Sequence, residues 1–240
     1  MKRVFFVGIF GMITAILLSS CSLFSNKGET QPRNGMLLIG EEQSLQEIVS
    51  QYKNKIYLTN ALYKIKQSKI GGRSTLILKR STVEELIKQG LLRSPKDVKS
   101  PVFSDSYPVQ SLPDVKKDVV LLLSRYDSME NIKSLKEIMI NDIKFKVQHG
   151  DPVWFGYMPD PSFEAVIAVV SDEMFNEFPE LETSMATLHF KQAYGNLRDE
   201  SVAPEAVNND AFKNNTTWLR LTKDLKKRVK YLKSISFLEN

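Results

Sequence analysis

The stretch DVVLLLSRYDSMENIKSLKEIMINDIKFKV, residues 118–147, decides the fold. Val119 to Leu123 is an unbroken apolar run, the pattern of a strand buried on both faces. Asp127 and Glu130 stand where a helix would be capped, and Ile132, Leu135, Ile138 and Met139 follow at helical spacing. Ile143, Phe145 and Val147 then alternate with Lys144, Lys146 and Gln148, which predicts a half-buried strand. Strand, helix and strand so close together predict one mixed unit with a central sheet.

Downstream, Val153 to Tyr157 and Phe163 to Val170 flank Met158-Pro159-Asp160-Pro161 and read as a hairpin. Ser171 caps a short helix carrying Met174, Phe175 and Phe178. The order β-α-β-β-β-α from Asp118 to Phe178 places the chain in the α+β class. In element order alone it is similar to the small ring-building domains of envelope secretion machines, and order alone does not give function. Leu181 to Tyr194 fits helix or strand, and Gly195 to Asn215 reads as a loop.

Upstream, Met36 to Ile39 predicts a first strand. Ser44 with Glu47 forms a capping box ahead of Leu45, Ile48, Val49, Tyr52 and Ile56, a helix that Leu62, Tyr63 and Ile65 extend toward Ser68. Gly71-Gly72 breaks it, and Ser74 to Leu78 predicts a strand. Ser81 and Glu84 supply a second capping box, with Gly90 near that helix's C-terminus. Pro95, Pro101, Pro108 and Pro113 crowd the region after Leu92, so 93–114 is the one internal boundary expected in a domain spanning 36–240. The chain is predicted to end in a long amphipathic helix from Thr216 or Thr217, with Trp218, Leu221, Leu225, Val229 and Leu232 on its apolar face.

The N-terminus has another character. Lys2 and Arg3 precede an apolar run from Val4 to Leu18, shorter than the roughly 20 residues that span a bilayer as a helix. Leu18-Ser19-Ser20-Cys21 follows, and Cys21 is the only cysteine. A basic start, a short apolar run and small residues read as a cleaved secretory signal. The segment resembles the signal peptide and lipobox of bacterial lipoproteins. That resemblance implies removal of residues 1–20 and acylation of Cys21, with palmitate among the chains. Two or more chains give a stable membrane hold where one gives a marginal one. An uncleaved signal anchor is the rival reading. Ser22, where Asp would retain many Gram-negative lipoproteins in the inner membrane, points to the outer membrane if the source is Gram-negative. Residues 21–35 are polar and suit a flexible tether of roughly 20 Å reach.

The 240 residues carry 33 Lys and Arg against 28 Asp and Glu, for a formal net charge of +5. Removing the leader leaves about 220 residues, enough for one large domain or two small ones. With one cysteine, no intrachain disulfide forms, and stability rests on core burial. The charge is polarised. Arg220, Lys223, Lys226, Lys227, Lys230 and Lys233 crowd the C-terminal segment, while Glu164 to Glu205 is acid-rich. A basic helix with one apolar stripe lies on anionic lipid, grips an acidic partner, docks on the chain's own acidic segment or simply packs on the core. Nucleic acid is not an expected partner of a lipid-tethered secreted domain.

Trp154 and Tyr157 beside Asp151 and Asp160 have the composition of a glycan platform, although aromatics more often serve the core. His149 and Asp151 are too few for a catalytic zinc site, which takes three protein ligands, so no metal and no cofactor is expected. Ser50-Gln51-Tyr52-Lys53 has the Ser-x-x-Lys spacing of penicillin-recognising enzymes without the companion KTG. GxSxG, HExxH, P-loop and GxGxxG motifs are absent. The expectation is a membrane-anchored envelope lipoprotein with a non-enzymatic structural or interaction role, in a secretion or assembly machine. The alternatives are a lipoprotein that binds a lipid, peptide or glycan, and a hydrolase without a recognisable motif.

Overall fold

The computed structural model describes residues 34–57, 62–97, 106–125, 130–140, 143–156, 166–194, 218–235 and 237. Cys21, Tyr157, the Pro-rich turn at 158–161 and the loop expected from Gly195 lie outside these residues.

The elements in chain order are β1 (Gly35–Gly40), α1 (Glu42–Tyr52), β2 (Leu62–Ile70), β3 (Arg73–Lys79), α2 (Arg80–Lys88), β4 (Leu92–Pro95), β5 (Ser106–Pro108) and β6 (Val119–Ser124). There follow α3 (Glu130–Lys133), β7 (Glu137–Ile140), β8 (Ile143–His149), β9 (Trp154–Phe155), β10 (Val166–Val170), α4 (Asp172–Glu177), β11 (Glu182–His189) and β12 (Tyr231–Ile235). Nine strands form one mixed sheet in the order β12-β1-β11-β2-β3-β10-β6-β8-β7. The pairs β3–β10 and β6–β8 are parallel and the others antiparallel. β5, β4 and β9 make a second, small sheet. This is an α+β fold.

Both faces of the large sheet are covered, which explains the unbroken apolar runs. Leu37 and Ile39 of β1 and Leu121 and Leu123 of β6 face one side, where Val83, Leu86 and Ile87 of α2 and Phe155 of the small sheet close over them. Val120 and Leu122 face the other side, under Ile132 of α3 and Met174 and Phe175 of α4. Met36 and Leu38 share that second side with Leu45, Ile48 and Tyr52 of α1. Ser171 caps α4 as expected, its Oγ accepting from the Met174 amide at 3.1 Å. Gly71 and Gly72, at φ 55° and 73°, form the two-residue turn of the β2–β3 hairpin, a conformation that glycine adopts freely.

Several expectations are corrected. Leu62 to Ser68 continues no helix but lies in β2 between β11 and β3, where its apolar residues gain a ladder and a core. The helix expected across 130–139 ends at Lys133, and Ile138 and Met139 belong to β7, which pairs with β8. The predicted hairpin of 153–157 with 163–170 does not form: β9 pairs with β4, whereas β10 lies between β3 and β6. Neither capping box caps its helix. α1 and α2 start at Glu42 and Arg80, and the Ser81 hydroxyl donates instead to the Asp172 carboxylate at 2.5 Å.

The largest correction concerns the C-terminus. Residues 218–222 are helical, Leu225–Lys227 is a short 3₁₀ turn, and Tyr231–Ile235 is a strand on β1. Among the described residues there is no long amphipathic helix there. The free edge of β1 offers Tyr231–Ile235 a full antiparallel ladder, and that pairing wins over helix continuation. The predicted apolar set is nonetheless the packing set. Trp218 and Leu225 are buried with α1 and β1, and Leu221, Val229 and Leu232 pack against them.

Candidate functional site

The small sheet stands off the large one and leaves a cavity of about 470 Å³. Four stretches of chain wall it. β4 gives Leu92 and Ser94, and β5 gives Tyr107. The segment running back toward the large sheet gives Val109 to Pro113. β6 contributes Leu123, and the chain leaving β8 contributes His149, Gly150, Asp151 and Val153.

Backbone bonds hold the walls. The Val109 amide donates to the Leu92 carbonyl at 2.9 Å, so 109–113 begins as an appendage of β4. Arg80 Nη1 donates to the Pro113 carbonyl at 3.2 Å and fastens the other end to α2. The Gly150 and Val153 amides donate to the Leu122 and Ser124 carbonyls, each at 3.0 Å, which carries 150–153 alongside β6. A Cβ at Gly150 would stand 2.5 Å from Leu123 Cδ2, so a larger residue there would have to displace the Leu123 side chain.

The polar groups of the lining are specific. Ser94 pairs with Tyr107 across β4–β5, so the two share one face of the small sheet. Arg93 points the opposite way, donating from Nε to Ser106 Oγ at 2.8 Å and also to the Ser106 carbonyl. Ser94 is 4% exposed, and its Oγ has no hydrogen-bond partner in the structure. An unsatisfied buried hydroxyl costs about 1–3 kcal/mol. The His149 ring is turned away from the cavity: His149 pairs with Leu122, and its Nε2 lies 2.7 Å from the Leu135 carbonyl on the other face of the sheet. Gln110 Nε2 donates to the Pro108 carbonyl at 3.1 Å, which leaves Oε1 as an acceptor.

The residues singled out from sequence are dispersed. Trp154 is 3% exposed in β9 opposite Arg93, and it does not line the cavity. Ser50 is exposed on α1, and Tyr52, between it and Lys53, is buried with its hydroxyl donating to the Leu221 carbonyl. His189 stacks on Phe237, with ring centroids 4.3 Å apart, on the far side of the sheet from β8. Among the described residues no cluster of His, Cys, Asp and Glu could hold a metal ion. Arg220, Lys223, Lys226, Lys227 and Lys230 are exposed, but on a helical turn, a 3₁₀ turn and a bend rather than one helix face. Lys233 lies in β12 and donates to the Phe155 carbonyl at 2.8 Å, across to the small sheet. Ser94, Tyr107 and Gln110 were not singled out from sequence, because no motif joins them. Only their proline-rich neighbourhood marked the region as irregular.

Among the described residues no helix is long and apolar enough to cross a membrane. A family model described as an uncharacterised lipoprotein family matches residues 33–221. The fold is similar to the crystal structure of a Bacillus anthracis protein provisionally assigned as a lipoprotein, with a TM-score of 0.59 at 19% identity, covering 85% of this chain and 99% of that one. No curated protein matches the chain.

Proposed function

The chain belongs to this lipoprotein family, whose members are by that name lipid-anchored, and from that premise we propose a non-enzymatic envelope lipoprotein that presents its α+β domain to a protein partner. The lipobox-like Leu18-Ser19-Ser20-Cys21 carries the reading. It places the lipid on Cys21, a short tether before the domain. Acyl chains buried at about 0.8 kcal/mol per CH₂ then do the work that no spanning helix of the described residues does.

The domain's charge supports a partner rather than lipid for the basic residues. The tether enters at Asn34, whose amide donates to the Ile235 carbonyl. Lys226, Lys227 and Lys230 gather at the other end of β1, where the Lys230 amide donates to the Ile39 carbonyl. At about 3.3 Å per residue, that is roughly 17 Å from the entry point. Arg228, between them, is already committed to Glu47 and Gln51 of α1, at 3.1 and 3.0 Å.

Palmitate labelling in cells tests the anchor. Label should enter the wild type and not Cys21→Ser, and Cys21→Ser should leave the membrane fraction. Equal labelling of both refutes the anchor. Crosslinking in native membranes tests the partner. Adducts should fall when Lys226, Lys227 and Lys230 are changed together to Glu, and an unaltered adduct pattern in a folded triple variant removes the basic residues from the role.

A further inference from the structure

We propose that the cavity between the small and large sheets binds an uncharged, hydroxyl-rich ligand of mono- to disaccharide size, held by Ser94. Three observations point there. First, Ser94 is buried in the lining with its hydroxyl unpaired, although the cavity lies beside it. Folded proteins seldom leave such a group unsatisfied, and a bound polar group would complete it.

Second, the lining favours a ligand that brings donors. Gln110 Oε1 is an acceptor, with Gln110 Nε2 donating to the Pro108 carbonyl. The Asp151 carboxylate accepts as well. Sugar hydroxyls supply such donors. Among the described residues no Lys or Arg lines the cavity, and Asp151 is the one charged residue of that lining. Anions such as phosphate esters or uronic acids are thereby disfavoured.

Third, the walls are of two kinds. Leu92, Leu112 and Leu123 give apolar surface that suits the C–H face of a pyranose ring, and the polar groups suit its rim. A volume of about 470 Å³ lies within the roughly 300–1,000 Å³ usual for small-molecule sites. The ligand is bound, not cleaved. Among the described residues Ser94 Oγ makes no hydrogen bond to His149 or to any other group, so none of them activates it as a base. This inference does not rest on the lipid anchor, because the cavity lies wholly within the α+β domain.

Saturation-transfer NMR on the full chain in mild detergent provides the test. The probes are N-acetylglucosamine, cellobiose, glucuronate and putrescine. At least one of the two neutral sugars should receive saturation. Ser94→Ala should weaken its binding at least tenfold while the melting temperature stays the same or rises, since the substitution deletes an unpaired hydroxyl. Asp151→Asn should admit glucuronate, which the wild type excludes. No transfer to either sugar overturns the proposal, as does undiminished binding by Ser94→Ala. Transfer to putrescine alone would mean an amine site instead. Repeating the titration with Cys21→Ser separates this proposal from the anchor, because sugar binding should survive loss of the lipid.

Discussion

Asn34 joins the start of β1 to the point where the described chain closes, and its removal should be costly. The residue is 7% exposed. Its Oδ1 accepts from the Phe237 amide at 2.5 Å, and its Nδ2 donates to the Phe237 carbonyl at 3.2 Å. Its own carbonyl accepts from the Phe190 amide at 2.6 Å. Asn34→Ala keeps the backbone bonds and deletes both side-chain bonds. Each bond is worth about 0.5–1.5 kcal/mol net, and a buried partner left bare costs about 1–3 kcal/mol. The Phe237 carbonyl has a second lone pair and tolerates the loss better than the amide. A total of about 2–4 kcal/mol follows, a large share of the roughly 5–15 kcal/mol of a typical domain. Urea unfolding followed by fluorescence measures it, with the buried Trp154 and Trp218 as reporters. The midpoint should fall with little change in slope. Asn34→Asp separates the two bonds. Its ionised form keeps the acceptor and loses the donor, and it faces a carbonyl in a buried site. Its pKa should therefore be raised on folding, so the variant is less impaired at pH 4 than at pH 7. A loss under about 0.5 kcal/mol for Asn34→Ala would refute the clamp.

Leu121 is 1% exposed between β10 and β8, and Leu121→Asp should abolish cooperative melting or lower stability by about 4 kcal/mol or more, because the charge finds no partner. An unchanged melting temperature by circular dichroism would contradict burial of that face. Burial raises the pKa of Tyr52 above the usual value, and the nearby Arg228 opposes that shift only in part. The neutral phenol is the form that the folded state prefers. Its contribution is therefore complete below pH about 10 and is lost as pH rises through the raised folded value. Tyr52→Phe should be about 1 kcal/mol less stable at pH 7, through loss of the bond to the Leu221 carbonyl, yet lose stability less steeply above pH 10. Part of the slope should remain, because burial raises Tyr63 too. Identical alkaline slopes would exclude Tyr52 as the titrating group.

The sequence by itself determined which residues are buried, better than it determined how they are arranged. Val119–Leu123 and Met36–Ile39 are strands as read, because an unbroken apolar run of that length needs cover on two faces. Ile143–Val147 and the Ser171 cap were equally legible, since alternation and capping are local properties, whereas Gly71-Gly72, read as the end of a helix, is the turn of a hairpin. Trp218, Leu221, Leu225, Val229 and Leu232 were rightly chosen as packing residues. Their predicted helix failed because the same spacing also serves a turn followed by a strand, and only the open edge of β1, nearly 200 residues earlier in the chain, decides between them. Leu62–Ser68 and Ile138–Met139 went to strands for the same reason, each taking a ladder that distant partners supplied. The cavity was the least legible feature. Ser94, Tyr107, Leu123 and His149 come from separate elements, and each looks ordinary alone. Pairing of β4 with β5 and β9, and closure of that small sheet over one face of the large one, is what brings them together. Such contacts depend on the free energy of the whole fold and leave no mark at any one position in the sequence.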